Sequence, residues 1–245
     1  MTRVVSWFSC GASSAVATWL TLAKYGRDNV NIVNIHLIDE HPDNGRFLKD
    51  CENWFGKRIE IVTREKYQGS VDNVISESKF LRSFYGAKCT LELKKKVRFE
   101  YQEPTDKQIF GYGVNEQKRI KRLLDSDPFT DFEFPLVDAQ MTGEDCRQFL
   151  YDKGIVLPVM YKLGFRNNNC IGCLKAESPT YWNHIRKHFP EVFEKRAKQE
   201  RSANYALCRV KGQNVFLDEL DPNVGRGYKM PDFSCGAVCD VSLEK

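Results

Sequence analysis

Cys170-Ile171-Gly172-Cys173 is the strongest chemical signal in this chain of 245 residues. A Cys-x-x-Cys turn lets two thiolates converge on one metal, and Asn167, Asn168 and Asn169 with Gly172 suit the tight turns this needs. A second pair, Cys235 and Cys239, follows about 60 residues later. A redox dithiol is the functional alternative for the first pair, and chance spacing the alternative for the second. Nine cysteines, an odd number, favour metal or redox chemistry over a disulfide framework in a reducing compartment. Cys89 follows Lys88 at an expected helix start, where a thiol pKa is lowered. A half-buried structural cysteine is the plainer reading there.

The amino-terminal stretch offers different chemistry. Val4-Val5-Ser6-Trp7-Phe8 reads as a buried strand and Ala15 to Lys24 as a helix, with Ser9-Cys10-Gly11-Ala12-Ser13-Ser14 between them. Gly11 lets the backbone approach a ligand closely. Ser9, Ser13 and Ser14 bring hydroxyls, and the helix start brings N–H groups and the positive end of its dipole. Such a turn can cradle a phosphate or pyrophosphate; an ordinary strand-to-helix turn is the alternative. No Gly-Lys-Ser/Thr follows, so this is not a Walker A loop, and Gly-x-Gly-x-x-Gly is absent.

These groups need elements to hold them. Val30 to Ile38 reads as a second buried strand ending in the polar loop Asp39-Glu40-His41-Pro42-Asp43-Asn44-Gly45. A helix is expected from Arg46 to Phe55, a third strand from Ile59 to Val62, and a helix from Val71 to Phe84. Asp106 to Gly113 reads as a strand leaving through glycines, followed by a helix carrying Glu116, Lys118, Arg119, Lys121 and Arg122. Phe132 to Val137 carries two apolar pairs around Pro135 and reads as a strand entering a loop. Thr142 is the expected N-cap of a helix running to Lys153, with Asp145 completing a capping box. Alternating strands and helices predict an α/β, three-layer, doubly wound and mainly parallel sheet. The loops at its strands' carboxyl ends line the ligand crevice in such folds. From Val156 the character changes, and a helix from Pro179 to Arg201 is expected to bury Tyr181, Trp182, Ile185, Phe189, Val192 and Phe193. The expected division is residues 1–155 as a nucleotide-binding domain, with 156–245 as a cysteine-rich portion packed on it.

Composition sets the bounds. With 42% apolar and 12% aromatic residues, the chain is long enough to bury a full core. Thirty-seven basic and 33 acidic residues leave a net charge of +4, weak evidence for a polyanionic partner that leaves room for a local basic patch. No run approaches the ~18 apolar residues of a membrane helix, and the chain enters its first strand without a signal peptide. The expectation is a cytoplasmic protein with no membrane partner; an oligomer is compatible with the sequence.

Taken in order, several segments resemble the phosphoadenosine-phosphosulfate (PAPS) reductase family of the adenine nucleotide alpha-hydrolase superfamily, the PP-loop ATP pyrophosphatases. The short phage- or mobile-element-encoded members are the most similar. Ser9-Cys10-Gly11-Ala12-Ser13-Ser14 resembles the family's Ser-Gly-Gly-x-Asp-Ser loop. Glu40-His41-Pro42-Asp43 with Phe47 resembles Glu-x-Pro-Glu-Thr-x-x-Phe, and Lys88-Cys89-Thr90 with Leu93-Lys94 resembles Lys-Cys-Thr-x-x-Leu-Lys. Gly111 to Arg119 resembles Gly-x-Arg-x-x-Glu-x-x-Arg, and Asn169 to Cys173 resembles Asn-Cys-Ile-Gly-Cys. Cys10 replaces a glycine of the pattern, Ser13 an aspartate, and Gly113 stands near an expected arginine. The carboxyl-terminal Glu-Cys-Gly-x-His motif of true sulfonucleotide reductases is absent; Cys235-Gly236 is its only echo.

The resemblance implies ATP (or PAPS) with Mg²⁺, held by Ser9, Cys10, Gly11, Ala12, Ser13, Ser14, Asp39, Glu40 and Gly111. It implies Lys88, Cys89, Lys94 and Glu116 as catalytic residues. It also implies a [4Fe-4S] cluster, or zinc, on four thiolates drawn from Cys89, Cys170, Cys173, Cys235 and Cys239. Three functions are compatible with it. One is adenylation and sulfur transfer on a nucleotide, nucleic acid or small metabolite, using a sulfur donor. The second is sulfonucleotide reduction with a thioredoxin-like reductant. The third is adenine-nucleotide binding without chemistry.

Overall fold

The computed structural model describes residues 2–83 and 86–233; Cys235 and Cys239 lie outside them. The chain forms two compact units, each assembled from separate stretches. The first comprises the chain up to His36, Pro42–Thr63 and Lys96–Lys162. The second comprises Leu37–His41, Arg64–Lys95 and the chain from Leu163. Among the described residues no helix is long and apolar enough to cross a membrane.

The first unit is built on five strands: β1 (Val4–Trp7), β2 (Val30–Ile35), β3 (Glu60–Val62), β4 (Lys107–Ile109) and β5 (Asp131–Glu133). All pair in parallel, in the order β3-β2-β1-β4-β5, with Val4 opposite both Val30 and Lys107. The fold is therefore α/β, as the alternation of elements predicts. Every residue of β1 is buried, as a central parallel strand requires. Its polar Ser6 bonds the hydroxyl of Thr18 at 2.9 Å, and Trp7 donates to the wholly buried Gln108 at 2.6 Å. Small residues on the helix Ala12–Tyr25 (Ala12, Ala15 and Ala17) join Val4, Phe8, Ile32 and Ile109 in one core. The order reverses between β1 and β4, so the loops leaving their carboxyl ends meet at the switch point.

Several boundaries differ from the sequence reading. The strand expected to enter a loop around Pro135 spans Asp131–Glu133, and Pro135 opens the short helix Pro135–Asp138 in place of the loop. The helix from Thr142 forms over Gly143–Asp152 with the expected box: Thr142 N–H donates to Asp145 at 2.8 Å, and Asp145 N–H to the Thr142 hydroxyl at 3.3 Å.

The second unit carries the helices Val71–Ser78, Pro179–His188 and Pro190–Ser202 and two short antiparallel hairpins. The expected helix to Phe84 ends at Ser78, where Lys79 turns left-handed (φ 52°) and caps Ile75. The expected helix from Pro179 to Arg201 is two helices. Pro190 has no N–H to donate and pushes Phe189 out of helical geometry, to φ −141° and ψ 61°.

Glu200 ties this unit together. Its wholly buried carboxylate accepts the N–H groups of Leu207 and Leu217. Burial pushes its pKa from 4.5 to about 7. The folded state thus holds a proton that the unfolded chain releases, and the stability tied to that proton is complete below pH 4.5 and gone above pH 7. Melting temperature should fall across that window, by the equivalent of roughly 1–3 kcal/mol, and Glu200→Gln should flatten the fall. An equal slope in both proteins would contradict this.

Candidate functional site

The nucleotide-loop candidates in the first unit form a compact turn organised by Ser14. Its buried hydroxyl accepts from Ser9 N–H (3.1 Å) and Gly11 N–H (3.3 Å), and donates to the Gly11 carbonyl (2.9 Å). It also meets the exposed Ser9 hydroxyl at 3.2 Å. Cys10 takes φ 54°, a conformation glycine adopts freely. This is the position where the resembled motif has glycine. The Cys10 side chain points into the core, within 3.6 Å of the Asn34 amide, so it offers a ligand its backbone rather than its thiol. The Ser13 hydroxyl is a hydrogen-bonding neighbour of the Cys146 thiol. Ala12 N–H donates to the Tyr161 phenol at 3.1 Å.

Gly111 is placed against this turn by the switch point. A Cβ there would lie 2.8 Å from the Ser13 carbonyl oxygen and 2.8 Å from the Ser14 Cα. The two loops meet backbone to backbone only because residue 111 has no side chain. Glu116, also in the first unit, accepts the Gly113 N–H at 2.8 Å and bonds Arg119, whose guanidinium sits 4.2 Å from the centre of the Tyr112 ring. It pins the turn entering the helix Gln117–Ser126.

The remaining candidates belong to the second unit. Lys88–Thr90 is helical and continues as a π-helical stretch, Leu91–Lys95, a distortion often found at functional sites. It buries Lys94, which pairs with the buried Glu40 at 3.4 Å; Lys88 pairs with Glu92 at 3.7 Å. Cys89, Cys170 and Cys173 line one cavity, together with Lys94, Thr90, Gly172 and Arg196. Its free volume is about 10 Å³, room for roughly one water. The seven described cysteines are all thiols. Cys146 and Cys208 lie elsewhere, buried, with pKa values pushed up to about 12 by burial, as expected of structural thiols.

The Cys-x-x-Cys turn is fixed at every step. Ile171 N–H donates to the Asp39 carbonyl at 2.9 Å. Arg196 Nε donates to the Gly172 carbonyl at 3.0 Å. Cys173 N–H donates to the Tyr181 hydroxyl at 2.9 Å. Burial pushes the Tyr181 pKa well up, so it stays a neutral phenol. Gly172 adopts φ +66°, and a Cβ there would meet Val192 Cγ1 at 2.7 Å. Asp39, a nucleotide candidate by resemblance, is turned inward: its carboxylate takes Val71 N–H at 2.6 Å and Arg196 at 3.3 Å. Sequence reasoning missed Arg196 and the role of Tyr181. The signal was Arg196 lying four residues after Val192, on a face otherwise read as core.

Among the described residues no three His, Cys, Asp or Glu side chains converge as ligands of a single ion. The donor set nonetheless matches an iron–sulfur group in kind: three thiols line one cavity. The expected fourth thiolate, Cys235 or Cys239, falls outside the described residues.

No protein-family model matches the chain. No curated protein matches it either. Among solved structures, the U34-tRNA thiolase NcsA from Methanococcus maripaludis with its [4Fe-4S] cluster is similar at 14% identity, over 95% of this chain and 83% of that one, with a TM-score of 0.48. A likeness of that size does not by itself say what this chain does.

Proposed function

We propose that this chain is a PP-loop sulfur-transfer enzyme. It binds ATP on the Ser9–Ser14 turn, adenylates an oxygen of a nucleotide, nucleic acid or small metabolite, and replaces that oxygen with sulfur. The observation that carries this is the meeting of Cys89, Cys170 and Cys173 at one cavity with Lys94 and Arg196. Three thiols gathered at one cavity suit a shared soft-metal group.

In the first step the substrate oxygen attacks the α-phosphorus of ATP and pyrophosphate leaves. In this reading the N–H groups of Ser13 and Ser14 in the first turn of the helix Ala12–Tyr25, with the exposed Ser9 hydroxyl, would hold the phosphates. Gly111 keeps the turn in shape. In the second step a sulfur nucleophile attacks the activated carbon, and AMP leaves with the oxygen. Cys89, Cys170 and Cys173 would hold the [4Fe-4S] cluster, with Cys235 or Cys239 as the fourth thiolate; loading it requires the cavity walls to part. When bound, the cluster supplies iron at which inorganic sulfur can be held for transfer. The basic residues Lys118, Lys121 and Arg122 on the helix Gln117–Ser126 favour a polyanionic substrate.

The test is ATP turnover. AMP and pyrophosphate should appear in equal amounts when ATP, sulfide and the cognate substrate are supplied, and a candidate RNA pool should gain sulfur by mass spectrometry. One observation favours a second reading, nucleotide binding without chemistry. The resembled motif has aspartate where Ser13 stands, and Ser13 is engaged with Cys146. Tight ATP binding with no AMP released over hours would support that reading and contradict the first.

A further inference from the structure

Arg196 is almost completely buried, at 1% exposure, and its whole guanidinium is in use. Nε donates to the Gly172 carbonyl at 3.0 Å, inside the Cys-x-x-Cys turn. One terminal nitrogen donates to Asp72 at 2.5 Å and Gln199 at 2.6 Å; the other reaches Asp39 at 3.3 Å. Asp39 in turn accepts Ile171 N–H through its own carbonyl. Two neighbouring residues of the turn are thus fixed by one connected network. A buried arginine loses a large hydration energy, and two carboxylates plus a backbone carbonyl are what offsets it. Asp72 is held down to about 2: burial pushes its pKa up, but Arg196, Lys195 and Gln199 outweigh it. Asp72 therefore remains a full negative partner at any working pH.

We propose that Arg196 is the positioning residue of the thiol site: its forked guanidinium, braced by Asp39 and Asp72, holds the Gly172 carbonyl so that Cys170 and Cys173 both present to the cavity. Lysine is not a substitute. A single ammonium on a flexible stem does not span a carbonyl and two carboxylates in fixed directions. The brace stands on the protein's own hydrogen bonds. Only its consequence for a bound cluster rests on the ligand reading given above.

The experiment has two arms so that the two ideas fail separately. In the metal-free full chain, iodoacetamide labelling of each cysteine is followed by peptide mass spectrometry, for wild type and Arg196→Lys. Cys170 and Cys173 should label at least tenfold faster in the variant, while Cys208, buried in the same unit, keeps its wild-type rate. Unchanged labelling of Cys170 and Cys173 overturns the proposal. Should Cys208 accelerate as well, the variant has loosened globally and Asp39→Asn decides, since it keeps shape and an acceptor but weakens the brace. A selective several-fold rise at Cys170 and Cys173 then supports the proposal, and wild-type rates overturn it. In the second arm, reconstituted wild type is compared with Arg196→Met, which lacks the positive charge. The cluster's reduction potential should move to more negative values, because the reduced state loses a nearby cation. If wild type takes up no cluster, the ligand reading fails and the labelling arm still decides the brace.

Discussion

Cys170→Ser with Cys173→Ser should abolish iron uptake by the chain if the proposed cluster site is correct. A serine hydroxyl stays protonated where a thiol ionises, and it is too hard a donor for an iron–sulfur group. Two of the three described thiols at the cavity are lost together, and no other described cysteine lines it. Iron content should fall from near-full loading to below a tenth of wild type. The fold should survive. The turn is held through backbone groups, by Asp39, Arg196 and Tyr181, none of which the change removes. Cys208→Ser is the control: Cys208 is buried in the short strand Cys208–Val210, away from the cavity, and its loss should leave iron unchanged. The check is iron and acid-labile sulfide per chain, alongside circular dichroism. Full iron in the double variant would remove these cysteines from the metal site.

Gly111→Ala should weaken nucleotide binding at least tenfold. The added methyl would sit 2.8 Å from the Ser13 carbonyl oxygen and 2.9 Å from its carbon. These are backbone atoms of the turn organised by Ser14, with no flexible side-chain end to swing aside. The turn must shift or the strand end must, and each moves the turn proposed to hold the phosphates. ATP affinity should fall at least tenfold, with about 1–3 kcal/mol of lost stability. Gly45→Ala is the comparison. Gly45 lies in the helix Asn44–Phe55 with nothing within 4 Å of an added Cβ, so the change should leave affinity intact and mildly stabilise the helix. Isothermal titration with ATP measures both. Wild-type affinity in Gly111→Ala would show that the turn does not hold the nucleotide.

The parts of this protein that local sequence writes were legible. A short run, apolar but for Ser6, made β1, small residues and serines made the turn after it, and Thr142 with Asp145 made a capping box. Cys-x-x-Cys announced itself by spacing. What spacing does not carry is which distant segments share a unit. Leu37–His41 and Arg64–Lys95 belong to one unit with the chain from Leu163, although sheet strands flank them in sequence. That grouping puts Cys89 beside Cys170 and turns Asp39 towards Arg196. Pro190 was a visible break, but the apolar pattern runs through it from Ile185 to Phe193 and masks the change of helix. Arg196 was hidden for the opposite reason. A lone cation on a core face has no partners until Asp39 and Asp72, over a hundred residues earlier, are brought to it.

The central claim is that the thiol cavity is an iron–sulfur site. Purification without oxygen, followed by an absorption spectrum and iron, sulfide and zinc analysis, tests it directly. The account predicts a brown protein with about four iron and four sulfide per chain and a broad band that bleaches on reduction. A colourless protein with one zinc, or with no metal after anaerobic reconstitution, would contradict it.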